Sequence, residues 1–492
     1  MTGRRTGRRL GALLGAAAIA AALPAVPAAA QQAPATSAPS GKPTPVEAMA
    51  VPPPLEPGWP VPRATNQPDA AYELKTPCIA PAGQPFDLKN KPWGQNQMQF
   101  DDLHKFSRGA GVTVAVIDTG VAPHDYLTVR GGGDYVRTDE QNGLKDCDGH
   151  GTEVAGIIAA HPPENSDIGF VGIAPDAEIL SIRQSSANYK GKRITPDNPD
   201  PQEDKAGTLE TLAQSIVAAA DQGAKVINMS VDSCRQVAIN GVKLPIQASE
   251  KNLQAALRYA HDTKDVVLVA SAGNYGTDTA CTQGINTGDP SQPSHLILPP
   301  WFSEYVISVA AIQDNGDPAD FSIPGPWVTV AAPGTRIISL DPTTRTGLVN
   351  LQIVDGKPQP IQGTSFAAPY VAGLAALIRS AKPELKAAQV AERIKTTAIH
   401  PAAPGGRDNR IGYGMINPMA ALTAVIPSER GVRPDAALDM KADLPGPVVH
   451  NWLPMQVAVV GSAGGVLLLL LTLFIVHTVR RNKGRREVRG SA

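Results

Sequence analysis

Six short apolar runs, rich in valine, isoleucine and alanine, recur along the middle of the chain. They are residues 112–117, 178–182, 225–231, 266–270, 306–310 and 328–331. Stretches with helical patterns accompany them at 209–221, 249–261 and 366–380. Strands that are apolar on both faces and alternate with helices are typical of a parallel sheet covered on both sides. The sequence therefore predicts an α/β fold with a mostly parallel sheet and helices on both faces.

One long polar segment interrupts this alternation. Residues 186–207 are polar and charged and contain Pro196, Pro199 and Pro201. We expect a long surface loop here, inserted after a strand. Loops of this length often border binding clefts, although a plain exposed insertion fits the composition equally well.

The start of the chain has the pattern of an export signal. Four arginines precede an apolar stretch at 10–23, and alanines at 28–30 form an A-x-A cleavage pattern. We predict a signal peptide at 1–30, with an uncleaved anchor as the alternative. Residues 31–90 form a Pro-rich N-terminal extension, which we expect to be extended or disordered as far as residue 65 and ordered beyond it.

A second apolar run, residues 457–476, lies near the other end of the chain and carries no charge. A helix of this length crosses a hydrocarbon core of about 30 Å. Six lysines and arginines follow between residues 480 and 489, and positive charge collects on the cytoplasmic side of membranes. We therefore predict a transmembrane helix at 455–479 and a basic cytoplasmic tail at 480–492.

The predicted signal peptide and transmembrane helix together indicate on which side of the membrane the rest of the chain lies. The main domain, residues 91–425, and a Pro-containing linker at 426–454 are expected outside the cytoplasm, anchored to the cell membrane by a single pass. Overall charge argues against a nucleic-acid partner, because 44 basic and 45 acidic residues give a formal net charge of −1. Nucleic-acid-binding domains usually carry a strongly basic face.

Three local motifs place reactive side chains in the order Asp, His, Ser. Asp118 lies in the string VIDTGV, His150 in DGHGTEVAG and Ser365 in GTSFAAPYVAG. Each residue alone has a structural explanation, as a turn residue, a packed histidine or a helix N-cap. Together they indicate nucleophilic catalysis, because a base can activate the serine and a carboxylate can orient the base.

These motifs resemble the subtilase family, the subtilisin-like serine proteases, whose triad has the same order along the chain. The resemblance covers roughly Trp93 to Val425 and includes the string GYGMINP at 412–418. It implies a subtilisin-like fold and serine endopeptidase activity. Ser365 is then the nucleophile, His150 the general base and acid, and Asp118 the group that orients and stabilises the imidazole.

The resemblance also implies an oxyanion hole and a substrate-binding strand. Asn274 ends the string ASAGN, which matches the family's oxyanion segment, and the Ser365 backbone N–H is the second donor. Ser230 and Val231 match the strand that pairs with substrate and borders the S1 pocket. Asp232 departs from the family's usual glycine. We hypothesise that its carboxylate narrows the pocket or favours a basic P1 side chain.

Four cysteines allow three disulfide pairings. Exported domains can keep disulfides, and the absence of CxxC spacing disfavours zinc. Cys234 and Cys281 each follow a buried strand that ends near the expected active site. We therefore favour Cys234–Cys281 together with Cys78–Cys147, which would tie the N-terminal extension next to His150.

The order of segments along the chain resembles a subgroup of subtilases, the mycosins of actinobacterial type VII secretion systems. The string SRGAGVTVAVIDTGV at 107–121 fits that subgroup. This resemblance implies secreted protein substrates, association with the type VII secretion membrane complex, and an extension that wraps the domain and need not act as an inhibitory propeptide. The sequence offers no recognisable calcium ligand set, and we assign no metal and no cofactor.

Two other functions stay open at this point. A structural component of the secretion membrane complex, with proteolysis secondary, would use the same membrane helix and extension. An esterase would use the same triad, but no Gly-x-Ser-x-Gly motif surrounds Ser365. Replacing Ser365 with alanine separates the structural component from the protease, because secretion that persists without cleavage indicates a structural role.

Overall fold

The computed structural model describes residues 50–80, 89–194, 199–239, 242–276, 281–354, 357–431 and 452–487. The chain divides into two units, residues 1–426 and 427–492, each described by itself. The predicted signal peptide lies outside the described residues, as do most of the predicted linker and the last residues of the basic tail.

A central sheet of seven strands organises the first unit. Its strands are β1 (Thr113–Asp118), β2 (Val129–Asp134), β3 (Glu178–Arg183), β4 (Val226–Met229), β5 (Val267–Ser271), β6 (Val306–Ile312) and β7 (Val328–Pro333). Their order across the sheet is β7-β6-β5-β4-β1-β3-β2, and every neighbouring pair is parallel. The predicted α/β fold with a parallel sheet is confirmed.

One strand of this sheet has no counterpart among the apolar runs of the sequence. Strand β2 has the sequence VRGGGD, and it lies at the edge of the sheet beside β3 alone. Three successive glycines give no apolar signal and no β-branched side chains, which are the features that mark strands. Pairing with β3 and polar contacts of Arg130 and Asp134 hold this strand in place.

Eight α-helices of the first unit are described. They are α1 (Trp93–Gln97), α2 (Phe100–Leu103), α3 (His150–Ala159), α4 (Leu209–Asp221), α5 (Ala248–Arg258), α6 (Thr364–Ala381), α7 (Ala387–Thr396) and α8 (Pro418–Thr423). Helix α4 begins with a capping box in which the Thr208 side chain accepts from Thr211 N, and this explains why it starts where the sequence pattern predicts.

Helices cover both faces of the sheet, as predicted. Val114 and Val116 of β1 belong to a core shared with α3 and α6. The alternate residues, Ala115 and Ile117, belong to a second core shared with α4 and α5. The valines and isoleucines of these cores are buried, and full burial of one such side chain contributes about 1.5–3 kcal/mol to folding. The two cores fix the helices that carry the candidate catalytic residues.

Outside the central sheet, short strands form antiparallel pairs. Glu73–Leu74 pairs with Ser186–Gly191, which also pairs with Asp204–Ala206. The remaining pairs are Ser233–Gln236 with His295–Leu298, Ala238–Ile239 with Val242–Lys243, Ser339–Leu340 with Leu348–Val349, and Leu351–Val354 with Lys357–Pro360.

The expectation of a surface loop at residues 186–207 is wrong for much of this segment. Its two strands form a three-stranded sheet with Glu73–Leu74 of the N-terminal extension. Ser186 and Tyr189 are buried in this arrangement. Such a pairing joins segments more than 100 positions apart and leaves no periodic signal in either one, so local composition predicts a loop.

The N-terminal extension follows the surface of the first unit from residue 50. Gln254 Nε2 donates to the Pro53 carbonyl at 3.0 Å, and Trp59 Nε1 donates to Asn252 Oδ1 at 2.9 Å. These contacts dock the Pro-rich segment against α5. The described residues 50–65 contain no strand, which agrees with the extended conformation expected from their prolines.

The second unit contains one long helix, α9 (Leu453–Glu487). Within its segment Leu453–Arg481, an 18-residue window has a mean hydropathy of 2.6, and the length and composition of the segment suit it to cross a membrane. This is the helix predicted at 455–479, extended at both ends.

Candidate active site

Asp118 occupies the position in the sheet where a binding crevice is expected. The strand order reverses about β1, with β3 and β2 on one side and β4 to β7 on the other. In open parallel sheets, ligands bind outside the carboxyl ends of the strands at such a reversal. Asp118 is the last residue of β1 and is fully buried, so its carboxylate lies at the base of that crevice.

His150 is the first residue of α3 and lies directly above this carboxylate. Gly149 precedes it with a φ of 87°, a left-handed conformation that glycine adopts without strain. His150 Nδ1 lies 2.7 Å from Asp118 Oδ1. Because a carboxylate only accepts hydrogen bonds, Nδ1 carries the proton in this pair and Nε2 of the neutral ring is left to accept one.

Ser365 completes the row from the start of α6. Its Oγ lies 2.9 Å from His150 Nε2, and the residue is 8% exposed. Helix α6 packs against α3 in the core described above, so the two helix starts are held side by side. The hydroxyl can therefore donate to the imidazole while its own oxygen faces the cleft.

The charge of Asp118 controls the ionisation of His150. Burial disfavours the imidazolium form, but the charge and hydrogen bond of Asp118, together with the charges of Glu153 and Asp146, outweigh it and raise the pKa of His150 from 6.5 to about 9. The pair therefore stabilises a protonated imidazole, which is the form generated when the ring takes a proton from serine.

Asn274 lies three residues after β5, beside the start of α6. Its Oδ1 accepts hydrogen bonds from Thr364 N at 2.9 Å and from Thr364 Oγ1 at 3.1 Å. A backbone N–H can only donate, so this contact fixes which end of the amide is the oxygen. The Nδ2 group is left for the cleft, which Asn274 lines together with Ser365.

The cleft has a volume of about 620 Å³ and brings the remaining predicted residues together. Ser230, Val231 and Asp232 line it after the end of β4. Ser230 Oγ also donates to the Ser365 carbonyl at 2.7 Å and accepts from Asn228 Nδ2 at 2.8 Å. This short chain of hydrogen bonds connects the β4 end to the backbone of the serine.

Asp232 places an acidic side chain in the wall of the cleft. It is exposed to solvent through the open cleft, where the charges of Lys205 and His150 act on it. A Cβ placed on Gly273 would lie 3.7 Å from Asp232 Oδ2. The carboxylate therefore sits beside the segment that ends in Asn274.

Several residues that shape the site are missing from the sequence prediction. Thr364 orients Asn274 through the two hydrogen bonds described above, and Lys205 and Asp148 also line the cleft. Thr364 directly precedes Ser365 in the chain, so the sequence could have indicated that it belongs to the site. Lys205 comes from the strand pair that was expected to be a loop, and its place in the cleft wall had no local signal.

One disulfide contributes Cys234 to the cleft lining, and the other adjoins Asp148, which also lines the cleft. The structure pairs Cys78 with Cys147 and Cys234 with Cys281, as the layout of the strands favours. Ile79 N also donates to the Cys147 carbonyl at 2.9 Å, so the N-terminal extension is attached close to His150. Among residues 50–80, none lines the cleft.

In the part of the chain that the structure describes, no group of three or more histidine, cysteine, aspartate or glutamate side chains is arranged to hold a metal ion.

A parallel sheet with helices on both faces, and an Asp–His–Ser row at its carboxyl edge, define the class of subtilisin-like serine proteases. The comparison with protein families agrees, because residues 109–414 match the model described as the subtilase family. The chain belongs to the subtilase family and, within it, to the mycosins.

Individual relatives show how far this similarity extends. Mycosin-1 of Mycolicibacterium smegmatis is 40% identical over 413 residues, covering 82% of this chain and 87% of that protein. The solved structure of the serine protease MycP1, an essential component of the type VII (ESX-1) secretion system, has 41% identity and a TM-score of 0.68. It covers 76% of this chain and 100% of the other.

A further similar chain belongs to an assembly. A chain in the structure of an intact ESX-5 inner membrane complex has 36% identity and a TM-score of 0.69. The match covers 85% of this chain and 97% of that one. This chain is thus a subtilase-type serine endopeptidase with relatives in secretion systems.

Proposed function

We propose that Asp118, His150 and Ser365 carry out peptide-bond hydrolysis in this protein. His150 Nε2 removes the Ser365 hydroxyl proton as Oγ bonds to the scissile carbonyl carbon. The C–N bond then breaks, and His150 passes the proton to the departing amine. Water attacks the resulting acyl-enzyme with the same histidine as base, which releases the acid product and restores Ser365.

Asn274 and the start of α6 stabilise the charged intermediate in this proposal. As the carbonyl oxygen becomes an oxyanion, it receives hydrogen bonds from Asn274 Nδ2 and from the Ser365 backbone N–H. Both donors are held before substrate arrives, since Thr364 fixes the amide and α6 fixes the backbone. Preorganised donors of this kind are usually the largest electrostatic contribution to such reactions.

The observation that carries the proposal is the spacing of the row. The distances of 2.7 Å from Asp118 Oδ1 to His150 Nδ1 and of 2.9 Å from His150 Nε2 to Ser365 Oγ are both hydrogen-bonding distances. The test is cleavage of an unstructured secreted protein by the purified full chain and by Ser365→Ala. Cleavage by the wild-type chain alone supports the proposal, and equal cleavage by both chains contradicts it.

The substrates we propose are proteins secreted by a type VII system, with the enzyme held at the membrane complex. Support comes from the similar chains, one in an ESX-1 system and one in the ESX-5 inner membrane complex. Helix α9 anchors the enzyme in this proposal, and the basic residues after 480 keep the C-terminus in the cytoplasm. The catalytic unit then faces the extracytoplasmic side.

This orientation has a direct test. In intact cells, a membrane-impermeant thiol reagent should fail to label a cysteine introduced at Ser491 and should label one introduced at Ser428. Both positions lie in the second unit, on either side of α9. Labelling of the position-491 cysteine in intact cells would contradict the orientation.

A second function is favoured by the relative found within the ESX-5 inner membrane complex. The chain could be a structural component that stabilises such a complex, with proteolysis secondary. In cells that contain only Ser365→Ala, secretion would persist under this alternative and complex integrity would be lost only on removing the whole chain. Loss of secretion with Ser365→Ala would favour the protease as the essential activity.

A further inference from the structure

A carboxylate outside the catalytic row links the two segments that present Asp118 and His150. Asp146 Oδ1 accepts from Thr119 Oγ1 at 2.9 Å and from Gly149 N at 2.7 Å. Its Oδ2 accepts from Thr152 N at 2.8 Å and from Thr152 Oγ1 at 2.6 Å. One side chain thus receives four hydrogen bonds, shared between the residue after Asp118 and the first turn of α3.

The two threonine hydroxyls extend this connection to the backbone on both sides. Thr119 Oγ1 accepts from Gly151 N at 3.0 Å while it donates to Asp146. Thr152 Oγ1 accepts from Ala122 N at 2.9 Å while it donates to the other oxygen. Each hydroxyl has one proton, which it donates in its hydrogen bond to Asp146. The hydroxyl oxygens are therefore oriented to accept backbone N–H groups across the gap between the β1 loop and α3.

The same loop backbone reaches the catalytic carboxylate. Thr119 N donates to Asp118 Oδ1 at 2.7 Å, the same oxygen that accepts from His150 Nδ1. A shift of Thr119 would move this donor and change the direction in which Oδ1 faces the imidazole. Asp146 does not touch Ser365 or any substrate-facing donor, so its influence on the reaction passes through Asp118 and His150.

We propose that Asp146 is a positioning residue of the catalytic row, which sets the register between the β1 loop and α3 and thereby the Asp118–His150 contact. The proposal rests on the function proposed above. It requires the ionised carboxylate, because all four partners are donors. Asparagine in its place would turn an N–H₂ group toward two donors, whichever way the amide lay.

The test compares Asp146→Asn with Asp134→Asn in the full chain purified in detergent. Asp134 is also buried, and its Oδ1 also accepts two backbone N–H groups, from Val136 and Arg137. It stands at the end of edge strand β2 and makes no hydrogen bond to the catalytic row. This control measures how much stability is lost when a buried hydrogen-bond acceptor is removed at a distance from the active site.

We expect kcat per folded Asp146→Asn molecule to fall about 100-fold, the size of effect that small misplacements of catalytic groups produce. KM should change little, since Ser230 and Asn274 keep their contacts. Asp134→Asn should lower the unfolding temperature and leave kcat per folded molecule unchanged. The folded fraction is counted by urea unfolding monitored by tryptophan fluorescence.

Thr152→Val provides a second measurement that does not depend on Asp146→Asn folding. Valine preserves the volume of the fully buried threonine but removes one hydrogen bond to Asp146 and the acceptor for Ala122 N. A kcat reduction in the same direction supports the inference. Unchanged kcat in folded Asp146→Asn or, if that variant does not fold, in Thr152→Val overturns it. If the wild-type chain cleaves nothing, the proposed function fails instead.

Discussion

His150 Nε2 lies 2.9 Å from Ser365 Oγ, although the two residues are 215 positions apart in the chain. The contact exists because α3 and α6 pack together in one core and both begin at the carboxyl edge of the sheet. Neither residue has a local reason to meet the other. The reactive geometry is therefore a property of the fold, and the predictions below follow from it.

The raised pKa of His150 predicts how activity depends on pH. His150 must be neutral to accept the Ser365 proton, and Asp118 raises its pKa from 6.5 to about 9 against the effect of burial. We expect kcat/KM to rise with pH and to reach half its maximum above pH 6.5. Asp118→Asn, with lower activity, should bring that midpoint down, because the stabilising charge is gone. A wild-type midpoint at or below 6.5 would contradict this account.

The same shift has a consequence for stability, with a defined sign. A folded-state pKa above the unfolded value of 6.5 means that the folded protein binds the proton more tightly. The stabilisation is fully present below pH 6.5 and is lost as the pH rises through about 9. The difference in unfolding free energy between wild type and His150→Gln should shrink over this interval. A difference that grew with pH would show that the sign is wrong.

Asn274→Asp tests the oxyanion donor with little change in shape. Aspartate keeps an oxygen for Thr364 N and Thr364 Oγ1 but replaces the Nδ2 donor with a second acceptor. We expect kcat to fall by 10²-fold or more, since losing such a donor costs about 2.7–4 kcal/mol of transition-state stabilisation. Stopped assays with a peptide substrate at saturating concentration measure this effect. Retention of wild-type kcat would remove Asn274 from the mechanism.

Asp232→Gly tests the origin of P1 preference. The Asp232 carboxylate lies in the cleft near Gly273, where we expect it to favour a basic P1 side chain. Cleavage rates are compared for peptides that differ only in having arginine, alanine or leucine at P1. The Asp232→Gly variant should lose the preference for arginine. Lys205→Ala is the matched control, because it removes a positive charge from the same cleft. This variant should strengthen the preference for arginine. Identical P1 profiles for wild type and Asp232→Gly would exclude this role.

Removing the disulfide between Cys78 and Cys147 should destabilise the catalytic unit. The bond closes a loop with a sequence separation of 69 residues. Loop-closure entropy for that length corresponds to about 4 kcal/mol, as an upper figure. The paired replacement Cys78→Ser with Cys147→Ser should lower the urea midpoint, and the wild-type chain in reductant should approach the same value. An unchanged midpoint would mean that this disulfide contributes nothing to stability.

The sequence predicted those parts of the molecule that depend on local pattern. Six of the seven sheet strands are continuous apolar runs, and α4 follows its capping residue Thr208, so both were recognisable. Strand β2 was missed because its glycines have no strand signal. The strand Ser186–Gly191 was missed because one of its partners, Glu73–Leu74, lies far away in the chain.

The candidate site divides in the same way. Asp118, His150 and Ser365 lie in strings specific enough to identify, and the structure brings all three together. Lys205 and Asp146 were missed, because their roles depend on which backbone groups the fold turns toward them. An acidic residue four positions before a helix-starting histidine was visible in the sequence, but its four donors were not.

The most direct measurement of the whole account is covalent labelling of the purified full chain with a fluorophosphonate, followed by mass spectrometry of the modified peptide. A serine activated by the His150–Asp118 pair reacts with this reagent, whereas an ordinary surface serine does not. The account predicts a single modification at Ser365, absent from Ser365→Ala and slowed in Asp118→Asn. A folded wild-type chain that remains unlabelled, or a label that persists in Ser365→Ala, would contradict it.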